Sequence, residues 1–464
     1  MKKLCFSLGV LVCLYANSQS YSIQGSITGY ENRPVFLGLL KGHTTLFMDT
    51  TFTNASGQFE FPVKSYYSSG LYRVFMKDKY SNNLLEQGIN FVVNKKESIV
   101  FTTSLEFLYN DLTISGSPEN KAYYSFLFRY KNLLESFGFY RNKIYYYSEA
   151  DTFYPRMIRT INDLQQKISL LCKSVSDSFP GTMLSSIIST YQIPFIDFFL
   201  PEEQRTEELK SRFFDYVNFS DTIILYSDRL PNKIMEYMQF FYDPQMPKEL
   251  QSEEFIKASD RLLGKAYDNQ QVYKYVLNYL VGLFENNREE AVLAFLARYM
   301  EENRCEADNL GEAEFKLARY LELSIGSKFP AIEFNDVRTQ KAGSLESIKA
   351  KYVLVVFWAS FCNHCTQMLP HIKQIFDKYP RAYFDVIAIS VDDTRDFYLD
   401  MIEENGFTAW HNVCDFGGWK GYWATQFNVK YTPMTYLVDE KRIIVAKPNE
   451  KELAEFLEKN YTKK

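Results

Sequence analysis

Two cysteines three positions apart, Cys362 and Cys365, stand where an apolar run gives way to a helical pattern. Val353 to Phe357 is unbroken Val, Leu and Phe and reads as a buried strand. Trp358-Ala359-Ser360-Phe361 turns the chain, and then Met368, Leu369, Ile372, Ile375, Phe376 and Tyr379 recur on one helical face. Cys362 is therefore expected at the first turn of a helix, where free N–H groups and the helix dipole favour a thiolate. Cys365 follows on the same face, within reach of a disulfide. Strand–CxxC–helix is the pattern of a redox site, and its chemistry is thiol–disulfide exchange. Cys362 would attack or be attacked, and Cys365 would resolve the mixed disulfide. His364 is the nearest titratable neighbour. An imidazole is partly charged near neutral pH and can favour a neighbouring thiolate. His371 lies further along the helix and should face away.

Two other readings use the same cysteines. One is a purely structural disulfide. The other is zinc, because His411-Asn412-Val413-Cys414 could complete a Cys₃His set with Cys362 and Cys365. Zinc requires neither the strand–helix context nor the preceding Phe357-Trp358-Ala359-Ser360, so exchange is the expectation, with no metal. No cofactor is expected beyond the redox-active Cys362–Cys365 pair.

The stretch resembles the thioredoxin superfamily, and its surroundings resemble the extracytoplasmic TlpA/ResA-like branch. Ile325 to Phe334 looks like the usual start of that domain, Phe384 to Asp392 like its second parallel strand, and Phe427 to Asp439 like its cis-proline strand. Three separated motifs in the right order cover about the last 140 residues. The resemblance implies a cis Thr432-Pro433 bond beside the CxxC, offering backbone groups to a substrate strand. It also implies that Trp358 packs under the site. Relatives of this kind are usually reductants of misoxidised proteins or cytochrome c precursors, kept reduced by a membrane-bound electron donor. The expected partners are thus protein thiols and disulfides and such a donor. Net oxidation or isomerisation is the alternative direction, and a binding module with a stable CxxC disulfide is the alternative class. The chain departs from the family at three places: Phe361 replaces a common Trp, Val356 a buried Asp, and Met368 a frequent Glu. Both usual acid–base carboxylates are missing, which leaves open how Cys365 loses its proton.

The elements that must position this site follow from the rest of the chain. The length of 464 residues implies several domains. With 46% hydrophobic and 23% charged residues the chain is globular. A net charge of −5 argues against a nucleic-acid partner. Residues 1–18 read as a secretory signal, with Lys2 and Lys3, an apolar Leu4 to Tyr15 and an Ala16-Asn17-Ser18 cleavage site. A lipoprotein acylated at Cys13 is the competing reading, but Leu11-Val12 lacks the small residue such processing needs. No second apolar stretch reaches membrane-spanning length. The mature chain is expected outside the cytoplasm, without a span. Cysteines are too few for a disulfide scaffold, and spacing does not decide whether Cys172 and Cys305 pair.

Residues 20–116 read as a β-sandwich-like domain. Alternation marks strands at Tyr21 to Ile27 and Phe59 to Val63, with further strands at Leu71 to Met76, Phe91 to Val93 and Ser98 to Phe101. Asn94 to Glu97 reads as a hairpin turn. This part resembles the β-domain often placed ahead of thioredoxin-like domains in secreted Bacteroidetes proteins. Residues 117–323 read as α-helical, opened by Ser117-Pro118. Stripes run through Ile158, Ile161, Leu164, Ile168, Leu171 and Val175, then Tyr273 to Phe284, then Ala291, Leu293, Phe295, Leu296 and Tyr299. Residues 324–464 are the α/β thioredoxin-like domain, with the His411 to Gly421 stretch expected as a loop before the strand at Pro433.

Overall fold

Alternating buried and exposed residues mark Ser22–Thr28, Gln58–Pro62 and Ile99–Ser104 among the first eight strands, whereas Pro34–Lys41, Gly70–Met76 and Ile89–Val93 are nearly continuous apolar runs, in a computed structural model that describes residues 21–77, 88–302 and 312–461. Residues 1–18, expected as a secretory signal, and Cys305 lie outside the described residues. Strands β1 (Ser22–Thr28), β4 (Gln58–Pro62), β7 (Ile99–Ser104) and β8 (Thr113–Ser115) form one sheet, ordered β4-β1-β7-β8. Strands β2 (Pro34–Lys41), β3 (Thr44–Phe52), β5 (Gly70–Met76) and β6 (Ile89–Val93) form the other, ordered β3-β2-β5-β6. Ile23 and Phe101 from the first sheet and Leu37, Val74 and Phe91 from the second meet in one core, so the two sheets make a sandwich. Gly57 turns into β4 at φ +71°, and a Cβ there would meet the Ile27 carbonyl oxygen at 2.3 Å. Only glycine fits that turn.

The Asn94–Glu97 turn is not a hairpin. β6 pairs with β5 in one sheet, whereas β7 runs parallel to β1 in the other, so the turn carries the chain between sheets. Turn residues mark a reversal without saying which sheet receives the next strand.

Nine helices follow among the described residues: α1 (Pro118–Ile144), α2 (Tyr154–Ser178), α3 (Met183–Tyr191), α4 (Glu202–Arg212), α5 (Arg229–Gln239), α6 (Lys248–Ala266), α7 (Gln270–Asn286), α8 (Glu290–Glu302) and α9 (Glu312–Glu322). Ser117 caps α1, its hydroxyl accepting the Asn120 N–H, with Pro118 in the first turn. In α2, Ile158, Ile161, Leu164, Ile168 and Leu171 are buried, as their spacing requires. The stripe of α8 is rotated from the expected one: Val292, Leu293, Leu296, Ala297 and Met300 are buried, while Ala291 is exposed. Ala291 and Val292 are adjacent and both apolar, so periodicity over so short a helix does not choose between them. No described helix is long and apolar enough to cross a membrane.

The chain divides into two compact units between Val276 and Leu277. The end of α7, with α8 and α9, groups with everything after it. The change from helices to strands near Leu323 and the change of compact unit are thus two different boundaries.

The second unit contains the thioredoxin-like fold. A small antiparallel pair, β9 (Glu333–Asn335) and β10 (Ala342–Ser344), precedes the central strand β11 (Tyr352–Trp358). Then come α10 (Asn363–Lys378), β12 (Phe384–Ser390), α11 (Arg395–Glu404), β13 (His411–Cys414), α12 (Tyr422–Gln426), β14 (Met434–Val438), β15 (Ile444–Ala446) and α13 (Glu450–Asn460). The sheet order is β13-β12-β11-β14-β15, with β11 parallel to β12 and antiparallel to β14. All seven residues of β11 are buried, because both faces of the sheet are covered. The stretch from His411, expected as a loop, begins with a strand: residues 411–414 pair parallel with Ile387 to Ser390. Four residues are too few to show alternation, and the pairing comes from the open edge of β12.

Candidate redox site

β11 ends at Trp358, and the chain reaches Cys362 through a turn closed by the Cys362 N–H donating to the Ala359 carbonyl at 3.2 Å. Cys362 is the N-cap of α10, in extended backbone conformation, and its sulfur accepts the Cys365 N–H at 3.3 Å. A sulfur thus fills the place usually taken by a Ser or Asp oxygen. The Cys365 thiol donates to the Cys362 sulfur at 2.6 Å, and both cysteines are free. Cys362 is half-buried and Cys365 fully buried.

These positions drive the two thiols apart. Burial pushes Cys362 up. The Cys365 thiol, the Thr432 side chain and the backbone N–H groups of Cys365 and His364 outweigh it, leaving Cys362 below the ordinary thiol value. Burial pushes Cys365 up to about 12, and the adjacent Cys362 sulfur adds to the rise. The arrangement sets a partly exposed, lowered thiol beside a buried, raised one.

Thr432 and Pro433 face the pair from the start of β14. Their peptide bond is cis, and the Cys362 thiol donates to the Thr432 carbonyl at 3.4 Å. Trp358 is fully buried in the same apolar layer as Cys365, Met368 and Leu369, tilted against Tyr398 at 5.6 Å. His364 is exposed, and its part in the site is its backbone N–H toward Cys362. His371 is exposed as well.

His411 and Cys414 turn elsewhere. The His411 Nε2 lies 3.3 Å from the Asp385 carboxylate. Asp385 is in register with Val353, at the opposite end of β11 from Trp358. Cys414 donates to the Asp392 carbonyl at 3.6 Å and accepts the Phe416 N–H at 3.3 Å. Among the described residues no three His, Cys, Asp or Glu are grouped as a metal would need.

Two supporting sets escaped the sequence. The Asp392 carboxylate, 2% exposed, accepts the hydroxyls of Ser360 and Ser390 and the Ser360 N–H at 3.1 Å. It thereby fixes the turn just ahead of Cys362. The second set lies on α8: the Glu290 carboxylate accepts the Tyr431 hydroxyl at 2.9 Å and pairs with Lys447 at 2.5 Å. Asp392 had a faint signal as a carboxylate closing an apolar strand, whereas Glu290 had none.

Comparison with known proteins bears on the C-terminal part of the chain. Residues 325–447 match the AhpC/TSA family. The chain is 25% identical over 84 residues to the thiol-disulfide oxidoreductase ResA of Bacillus anthracis, a match covering 18% of this chain and 48% of that protein. It is 26% identical over 133 residues to the thioredoxin-like protein YneN of Bacillus subtilis, covering 26% of this chain and 68% of that protein. Among solved structures, a thioredoxin-like protein from Bacteroides caccae aligns with 20% identity and a TM-score of 0.37, over 58% of this chain and 98% of that one. The chain spans about half the length of the first ResA proteins it matches. The C-terminal part of this chain is a thioredoxin-like domain of AhpC/TSA type with ResA-like relatives.

Proposed function

We propose that the C-terminal unit exchanges thiols and disulfides with protein substrates, most simply as a reductant acting outside the cytoplasm. The observation that carries this is the pair of sulfurs at the head of α10, one exposed enough to react and held below the ordinary thiol value, the other buried and held above it.

The steps follow from those positions. The Cys362 thiolate attacks one sulfur of a substrate disulfide. A mixed disulfide forms, and the departing substrate thiolate takes up a proton. Cys362 then carries no charge, so its contribution to raising Cys365 disappears, which eases loss of the Cys365 proton to solvent. Cys365 attacks the Cys362 sulfur, releases the second substrate thiol and closes the Cys362–Cys365 disulfide. Two electrons have passed from the dithiol to the substrate. The two sulfurs suffice, without an added cofactor. A donor, at the membrane in this reading, restores the dithiol.

The lowered Cys362 thiol favours a second direction. Stabilising the thiolate stabilises the reduced form and makes the disulfide a better oxidant. A redox titration separates the two: a reductant lies near about −270 mV and an oxidant well above about −200 mV. The reading itself is tested by trapping. With Cys365→Ser, mixed disulfides through Cys362 should accumulate on non-reducing gels, and Cys362→Ser should abolish them. Equal trapping by both variants would defeat the assigned roles.

A further inference from the structure

The backbone that faces the Cys362 sulfur is not held by the thioredoxin-like fold alone. Thr432 offers its carbonyl to the Cys362 thiol at 3.4 Å. The segment just before it, Asn428 to Tyr431, is tied to the end of α7 and the start of α8. Glu285 accepts the Asn428 amide at 3.5 Å, and Glu290 accepts the Tyr431 hydroxyl at 2.9 Å. The Arg288 guanidinium covers the Tyr431 ring at 4.3 Å. Beyond the proline, Lys447 closes on the same Glu290 carboxylate at 2.5 Å. One carboxylate therefore joins the chain on both sides of the Thr432–Pro433 peptide. A cavity of about 220 Å³ lies here, and Glu290, Tyr431, Lys447, Met368 and Pro433 are among the residues that line it. Glu290 thus borders the space beside α10 in which Met368 follows Cys365 by one turn.

We propose that Glu290 and Tyr431 are positioning residues for thiol exchange, holding the Thr432–Pro433 peptide against Cys362 from the helices that precede the thioredoxin-like fold. The argument is one of linkage through a short chain of contacts: carboxylate to tyrosine hydroxyl, tyrosine to the next residue in sequence, and that residue to the reacting sulfur. The side chain of the same residue, Thr432, is among the groups that favour the Cys362 thiolate, so the link bears on that thiolate by holding the residue in place rather than through its carbonyl. Charge-assisted hydrogen bonds of this kind are stronger than neutral ones and fix geometry as well as energy. A preformed backbone edge lowers the cost of ordering a substrate strand beside the sulfur. The proposal rests on the exchange reading for its purpose, although its test does not.

The test uses the full chain and the variants E290A, E290Q and Y431F. The readout is the fraction of Cys362 modified by a short iodoacetamide pulse across pH, followed on its peptide by mass spectrometry. E290A and Y431F should each move the Cys362 titration to higher pH, a several-fold loss of thiolate below the midpoint. E290Q, which keeps an acceptor for Tyr431 and loses the ion pair to Lys447, should fall between them and wild type. The double variant E290A/Y431F should shift no further than E290A alone, because E290A already breaks the link to Tyr431. Superimposable titrations would overturn the proposal. So would a fall in thermal stability with an unmoved titration, which would make Glu290 a structural residue only. Should E290A fail to fold, Y431F and E290Q decide, since each keeps most of the packing. Labelling needs no substrate, so this outcome is separate from that of trapping by Cys365→Ser: absence of trapped partners would defeat the exchange reading and leave the titration result standing.

Discussion

In the helical region Cys172 sits inside α2, well past its first turn, 1% exposed, in one core with Ile158, Ile168 and Leu184. The Lys233 ammonium is close enough to favour its thiolate, yet burial dominates and holds the thiol up at about 12. Lys233 suffers from the same burial. Its Nζ donates to the Gln192 carbonyl at 2.9 Å and lies over the Phe213 ring at 4.3 Å, but desolvation brings it down to about 8. At the head of α10 no cation stands among the main influences on Cys362, and its thiol is nevertheless lowered. What differs is the direction of local dipoles. Mid-helix N–H groups are spent on the helix's own carbonyls, whereas those of the first turn are free and point at the N-cap sulfur. A buried cation pays its own desolvation and gives little back, while two fixed N–H groups and a threonine cost nothing further to aim.

The most demanding consequence is chemical. With Cys172 held near 12 and Cys362 below 9, their thiolate populations at pH 8 should differ by more than about a thousandfold. A short iodoacetamide pulse on the reduced full chain should label Cys362 and leave Cys172 and Cys365 unmodified, read by mass spectrometry of the three peptides. Labelling should spread to the buried thiols only when the chain is unfolded first. Comparable rates at Cys172 and Cys362 in the folded chain would break the comparison.

How much of this contrast could be read in advance depends on how local it is. The N-cap place of Cys362 and the i, i+3 relation to Cys365 are set by neighbouring residues, so the sequence displays them, as it does the Ser117–Pro118 start of α1. The β-sandwich was legible as a class from alternation, but the parallel pairing of β1 with β7 was not, since it joins strands separated by most of the domain. β13 was too short to show a period. Val356 and Met368 lack the carboxylates of relatives, and the sequence pointed only to their absence. The acidic groups that do border the site, Asp392 and Glu290, reach it by folding. Glu290 meets Tyr431 across 141 positions, and nothing in Asn287-Arg288-Glu289-Glu290 distinguishes it from a solvated helix start.

The Lys233 side of the comparison gives a prediction of stability against pH. The unfolded chain holds the Lys233 proton up to about 10.4, whereas the folded chain releases it from about 8. Between those values the unfolded state binds more protons, so this group's contribution to stability rises with pH. Lys233→Met has no such term. Wild type should therefore gain on the variant by about 1 kcal/mol between pH 7 and pH 9, seen as a convergence or crossing of their thermal midpoints. Cys172 is neutral in the folded state of both at these pH values, so its contribution cancels. A constant difference between the two midpoints would mean that Lys233 is solvated more than its surroundings suggest.

The smallest effect concerns His364, where the side chain and the backbone can be separated. The imidazole is exposed, while the backbone N–H of the same residue is among the groups that favour the Cys362 thiolate. His364→Ala removes the ring and keeps the N–H. His364→Pro removes both, and proline is tolerated in the first turn of a helix because that N–H has no partner within the helix. If first-turn donors tune Cys362, as the contrast with Cys172 implies, the proline variant should raise the Cys362 thiol value and the alanine variant should raise it less. A less stable thiolate means a less stable dithiol, so the potential should become more negative, by roughly 30 mV for each pKa unit in a two-electron couple. Thiolate absorbance against pH, together with glutathione redox titrations of wild type and both variants, measures the two effects independently. Equal shifts in Ala and Pro would assign the effect to the imidazole charge. A shift in Pro alone would assign it to the peptide N–H, placing the control of this thiol in the backbone of α10.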